Sequence, residues 1–112
     1  MVNDSIVDTC SMPLCIPADH PALAGHFPGR PIVPGVVLLN AALDCAQMHF
    51  GSDLRIGGID QAKFITPLLP NQEARLTLLR HAKRLQFTIE YGATLIAQGS
   101  FALPFESQPK NP

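Results

Sequence analysis

The stretch that decides the fold is GHFPGRPIVPGVVLLNAALDCAQ, Gly25 to Gln47. Its first part is a Pro/Gly loop carrying one histidine, and its second part is an apolar run interrupted by Asn40, Asp44 and Gln47. Proline fixes φ and leaves a loop few conformations, so the segment 19–33 holds its side chains in place. The run predicts a helix from about Pro34 to Phe50. Proline suits a first helical turn, because its missing N–H has no intrahelical partner there. Gly51 is a C-terminal stop, and His49 sits where a cation is favoured. The helix is apolar on most sides, which predicts that it is buried. Asn40, Asp44 and Gln47 are spaced i, i+4, i+7 and therefore form one polar stripe.

Working outward, CSMPLCIPA (10–18) reads as a strand, with Pro13 and Pro17 indicating a sheet edge. After the helix, RIGGIDQAKFITPLLP reads as a strand with a bend at Gly57-Gly58. EARLTLLRHA alternates and turns at HAKR. LQFTIEYG alternates cleanly, Gly92 marks a turn, and TLIAQGSFALPF is the last strand. One long helix with four or five antiparallel strands is an α+β domain, a sheet wrapped around the helix. The 112 residues suffice for one domain spanning 1–112, with 1–8 and 105–112 read as mobile tails.

Composition narrows the function. Charged residues are 15% of the chain, low against the usual quarter, which points to surface covered by self-association. The net charge of −1 gives no case for nucleic acid. No apolar run reaches the ~20 residues needed to span a bilayer, and the N-terminus lacks a secretory pattern, so the expected location is cytoplasmic. Three cysteines without paired spacing, Cys10, Cys15 and Cys45, are read as structural thiols rather than a disulfide framework. No histidine or carboxylate spacing suits a metal.

The loop and helix together suggest chemistry. The loop presents His26. The helix start at Pro34-Gly35-Val36 presents unpaired backbone N–H groups and a partial positive charge. Gly35 lets a substrate approach the backbone closely, an arrangement suited to a developing enolate or oxyanion. His20, in DHP, is read as a turn residue, and His49 and His81 as surface residues. Phe27, Phe64, Phe87 and Phe101 are read as core, with Phe27 and Phe64 candidates for lining an acyl site beside Val36. RHAKR (80–84), with Arg30, Arg55 and Lys63, is a candidate surface for an acidic partner.

GHFPGRPIVPGVVLL resembles the signature of bacterial (3R)-hydroxyacyl-[acyl-carrier-protein] dehydratases, the FabZ-like hot-dog enzymes. GIDQAKFITPLLP (58–70) resembles the strand that follows the helix in that family. The chain is shorter at its N-terminus than that family, and in this is similar to the small thioester dehydratases of aryl-polyene and pigment clusters. The resemblance implies a hot-dog fold, no cofactor, and dehydration of a (3R)-hydroxyacyl thioester, on acyl carrier protein or coenzyme A, to the trans-2-enoyl form in fatty-acid or polyene-type synthesis. It implies that His26 is the general base and that the Gly35 N–H holds the thioester carbonyl. It also implies that an acid on the partner subunit's helix protonates the departing hydroxyl, so that a homodimer, a higher oligomer or a heterodimer with a related subunit is needed.

The sequence departs from that pattern at the acid. Its position holds Asn40, and Asp44 stands one turn on, where the family has a glutamine. Loss of a general acid costs ~10²–10⁴ in rate. Asn40 is a candidate for holding the hydroxyl or a water, and Asp44 for the replacement acid, although one turn is ~5.4 Å and the side chain is short. Two alternatives stay open. One is a hot-dog thioesterase, with Asn40 holding water and Asp44 as base. The other is a catalytically impaired subunit supporting an active partner.

Overall fold

The computed structural model describes residues 6–23, 32–51 and 54–104. Five strands and one long helix follow in the order β1 (Asp8–Leu14), α1 (Gly35–Phe50), β2 (Gly58–Phe64), β3 (Ala74–Arg80), β4 (Arg84–Tyr91) and β5 (Thr94–Ala102). The strands form one antiparallel sheet in the order β1-β3-β4-β5-β2. This is the expected α+β architecture. β1 lies at one edge, as Pro13 requires, because proline cannot donate to a ladder on both sides. β2 lies at the other edge.

The alternation in β3 and β4 sets the register. Leu76 pairs with Ile89 and Leu78 with Phe87 across β3 and β4; Phe87 pairs with Gly99 and Leu85 with Phe101 across β4 and β5. A one-residue slip would turn this whole set outward. Leu76, Leu78, Leu85, Phe87, Ile89 and Phe101 are all buried, and the Phe87 and Phe101 ring centroids are 5.3 Å apart.

Helix α1 packs on this face. It begins at Pro34 as N-cap and ends at Gly51, which adopts φ 104° and donates its N–H to the Gln47 carbonyl. It buries Val37, Leu38, Ala42 and Ala46, within one hydrophobic cluster with the sheet residues. The expectation of a helix buried all round does not hold in the single chain. Val36 is 60% exposed and Met48 84%, and Asn40, Asp44 and Gln47 are exposed. The sheet covers one side of α1 only.

Other expectations also change. Phe87 and Phe101 are core, but Phe64 is 50% exposed, because it stands on the edge strand β2. His81 is buried rather than on the surface, its Nε2 lying 3.0 Å from Gln86 Oε1. The 80–84 turn lies at the C-terminal end of α1, where the Arg80 guanidinium sits 5.5 Å from the Phe50 ring centroid. That end is ~22 Å from the helix start at 1.5 Å per residue. Residues 1–5 and 105–112 lie outside the described residues, whereas Asp8 already pairs with Arg80. Among the described residues no helix is long and apolar enough to cross a membrane.

Gly99 allows β2 to join the sheet. A Cβ there would collide with the Gln61 carbonyl oxygen and come within 2.9 Å of Ala62 Cα, next to the bulge that takes Asp60 out of the β2–β5 register. Gly99→Ala is expected to cost about 1–3 kcal/mol by overpacking. Thermal denaturation should show a fall of several degrees; an unchanged midpoint would show that β2 tolerates the methyl group.

Candidate active site

The start of α1 is held on the sheet by backbone bonds. The Val33 N–H donates to the Leu68 carbonyl (2.8 Å), and the Ile65 and Thr66 N–H groups both donate to Ile96 (2.8 and 3.2 Å). Pro34 is in the extended region and offers no side-chain cap, and no acidic residue stands in the first turn. The Val37 and Leu38 N–H groups bond the Pro34 carbonyl. Among the described residues nothing accepts the N–H of Gly35 or Val36. Helices usually satisfy these donors with a Ser, Thr, Asp or Asn cap. Here they are left for something else, at the end of the helix that attracts negative charge.

A groove of about 490 Å³ lies at this point, lined by Pro34, Gly35, Leu38, Phe64, Ile65 and Thr66 among others. It is apolar apart from Thr66, a residue the sequence reading did not single out. The Phe64 ring covers Gly35 so closely that a Cβ would lie 2.8 Å from its Cζ. Two predicted residues are thereby brought together: the glycine that exposes the backbone and the aromatic that walls the groove.

The polar stripe faces elsewhere. Val36, Asn40, Asp44 and Cys45 line a second groove, of about 420 Å³, whose other wall is Leu14–Pro17 and His20. Within one chain, Gly35 and the Asn40–Asp44 stripe therefore open into different grooves. Asp44 is exposed there, so the apolar burial that the replacement-acid role asks for is absent in the single chain. Among the described residues no hydrogen bond joins Asn40 to Asp44. His26 and Phe27, together with Arg30, lie outside the described residues. Among the described residues no group of three or more His, Cys, Asp or Glu is placed to hold a metal.

The thiols differ in setting. Burial pushes the Cys45 thiol above its ordinary range, with the Asp44 carboxylate adding to it. Burial does the same for Cys10, helped by Asp8 and then Cys45. Cys15 is exposed. The thiolate is the nucleophile, so iodoacetamide at pH 7.5 should alkylate Cys15 first, read by peptide mass spectrometry. Faster labelling of Cys45 would contradict its burial against the sheet. A second expectation concerns Gly35. Gly35→Ala should cost about 1–3 kcal/mol in urea denaturation by forcing the ring aside, and adding Phe64→Leu should recover most of it. Additive effects in that double-mutant cycle would show the contact to be unimportant.

Comparison with known proteins bears on this geometry. The chain is 33% identical over 89 residues to 3-hydroxyacyl-[acyl-carrier-protein] dehydratase FabZ of Haemophilus influenzae, covering 72% of this chain and 60% of the relative. It is 26% identical over 110 residues to the protein of the same name from Caulobacter, covering 86% of this chain and 68% of the relative. The chain spans about half to two-thirds of the length of these curated relatives. The structure superposes on the dehydratase heterocomplex ApeI:P from Xenorhabdus doucetiae with TM-score 0.73 at 20% identity, covering 91% of this chain and 98% of that one. It also superposes on an uncharacterised protein from Erwinia carotovora with TM-score 0.74 at 27% identity, covering 92% and 90%. The fold is the hot-dog fold. A family model described as ApeI dehydratase matches residues 3–100, and the chain belongs to this ApeI-like dehydratase family.

Proposed function

We propose that the protein is a dehydratase that removes water from a (3R)-hydroxyacyl thioester to give the trans-2-enoyl thioester, as part of fatty-acid or polyene-type synthesis. The observation that carries this is the open helix start. The uncapped helix start lies at an apolar groove lined by Pro34, Gly35 and Phe64. A thioester carbonyl set against the N–H donors of that start becomes a better electron sink. Charge that develops on its oxygen as the α-proton leaves is met by fixed dipoles, and such donors are each worth ~10²–10³ in rate. The rest of the groove is apolar and suits an acyl chain. His26 is the base in this reading, by the motif it shares with the FabZ-like enzymes. No step asks for a metal or redox group.

The two-groove geometry supports assembly. Gly35 and the polar stripe do not meet in one chain, so a complete site needs a second chain to bring its stripe opposite the first chain's helix start. The surface fits such a contact. β2 is an edge strand exposed along nearly all its length, with unpaired backbone groups that invite pairing. Ile59 and Phe64 on it and Ile65 just after it are about half exposed, a combination that marks an interface. A homodimer satisfies both needs. A heterodimer does so equally, and the Xenorhabdus structure is by description a dehydratase heterocomplex. Asn40 leaves the proton of the departing hydroxyl to another group of the composite site. The substrate carrier in the proposal is acyl carrier protein, by likeness to the named activity of the relatives.

His26→Ala should reduce dehydration of a 3-hydroxyacyl carrier protein by about 10²–10⁴, the usual contribution of a general base. The rate is followed by intact-protein mass spectrometry. Full activity in that variant would remove the base from the reading. Asn40→Glu should leave dehydration intact or raise it, because it restores a carboxylic acid on the stripe. If the isolated chain is inactive and the Asn40→Glu chain is active, the protein works as one half of a heterodimer.

A further inference from the structure

The second groove contains a residue that neither the motif nor the dehydratase reading uses. His20 faces the same space as Asn40 and Asp44. It is carried on a braced segment. Pro17 and Pro21 flank it. The His20 N–H donates to the Pro17 carbonyl at 3.1 Å, and the His20 carbonyl accepts the Leu23 N–H at 2.9 Å, closing a 3-10 turn over Pro21–Leu23. Asn71, held at φ 68°, grips the segment from the other side. Its N–H donates to the Ile16 carbonyl at 2.8 Å, and its Oδ1 accepts from the Ala18 N–H at 3.3 Å. A histidine on so braced a turn, half-buried against a helix, has a fixed place in the groove.

Dehydration needs a proton donor at the departing hydroxyl. Asn40 cannot serve, because an amide does not release a proton near neutral pH. Asp44 lies a turn further on and is exposed. Imidazole is the side chain that ordinarily gains and loses a proton between pH 5 and 8. We propose that His20 is the proton donor of this site, replacing the carboxylic acid for which Asn40 stands; the inference rests on the dehydratase reading above. In the step, at a site composed of two chains, the base His26 of the chain that supplies the helix start takes the α-proton and the electron pair forms the carbon–carbon double bond. The carbon–oxygen bond breaks, and the His20 imidazolium gives its proton to the leaving oxygen, which departs as water. His26 ends protonated and His20 neutral, and exchange with solvent resets both. Asn40 holds the hydroxyl beside His20. The other titratable groups at the groove are Cys15 on the strand side and Asp44 and Cys45 on α1, with Asp19 next to His20 in the chain.

The experiment is kcat against pH for the full chain, assembled as it is active, on a 3-hydroxyacyl carrier protein. Wild type, His20→Gln, His20→Asn and Asp44→Asn are compared, and each variant is checked for an unchanged melting midpoint. The expected result is a fall in kcat of ~10²–10⁴ for both His20 variants, with KM little changed. The alkaline limb expected of wild-type kcat should vanish with the donor. Wild-type kcat and an intact alkaline limb in either folded His20 variant overturn the assignment while leaving the dehydratase reading in place. Loss of the limb in Asp44→Asn but not in the His20 variants overturns it in favour of Asp44. If wild type releases no water from the substrate, alone or with a related subunit, the dehydratase reading fails and this inference fails with it.

Discussion

Everything else in the structure depends on α1 resting on the sheet by one narrow face. Ala42 and Ala46 are completely buried, and Val37 and Leu38 nearly so. Alanines at the contact let the helix approach closely. The large side chains that fill the core come mainly from the sheet: Leu76, Leu78, Leu85, Phe87, Ile89 and Phe101. Each such burial stabilises by about 1.5–3 kcal/mol before the entropy of ordering is subtracted. Because the sheet satisfies only one side of α1, the apolar residues on the other side have no cover within the chain. The same packing fixes where the helix begins, through the bonds of Val33 to Leu68 and of Ile65 and Thr66 to Ile96.

The position of the helix start then decides the chemistry. Pro34 ends the loop without supplying a cap, and the room that Gly35 leaves is filled by the Phe64 ring from β2. A helix end left open in this way is costly unless water or a ligand uses its donors. The polar stripe, displaced around the helix, opens to the opposite groove. One chain thus carries two separate grooves, which the proposed reading treats as half-sites. That geometry gives a physical reason for a second chain, independent of any likeness to other proteins. In the proposed assembly the exposed edge of β2 and its bare apolar residues are where such a chain docks.

Much of this was legible in the sequence. The helix ends follow from Pro34 and Gly51, and the strands from alternation in 74–80 and 84–91. The edge position of β1 follows from Pro13. The open helix start was readable because proline and glycine stand where a capping side chain would be. Burial in the single chain was not readable. An all-round apolar helix looks the same whether one sheet or a second subunit covers it, and Phe64 looks like core until β2 is known to be an edge. His81 looked solvated because its neighbours are basic, yet the hairpin turns it inward to Gln86. His20 reads from the sequence as a turn residue, which it is, but a lone histidine in a turn carries no periodicity that points to a site. Its only signal was the pair of flanking prolines, and only the packing of the 15–20 segment over α1 places it beside Asn40 and Asp44.

The most direct test of the central claim is the fate of the thioester itself. The purified chain, alone and mixed with a related hot-dog subunit, is incubated with a 3-hydroxyacyl carrier protein, and the intact carrier is weighed by mass spectrometry while free thiol is measured in parallel. The account predicts loss of one water from the carrier-bound acyl group, reversed when the enoyl form is supplied, with no thiol released. Release of free thiol and unmodified carrier, without any loss of water, would contradict it. The open helix start would then serve hydrolysis rather than dehydration.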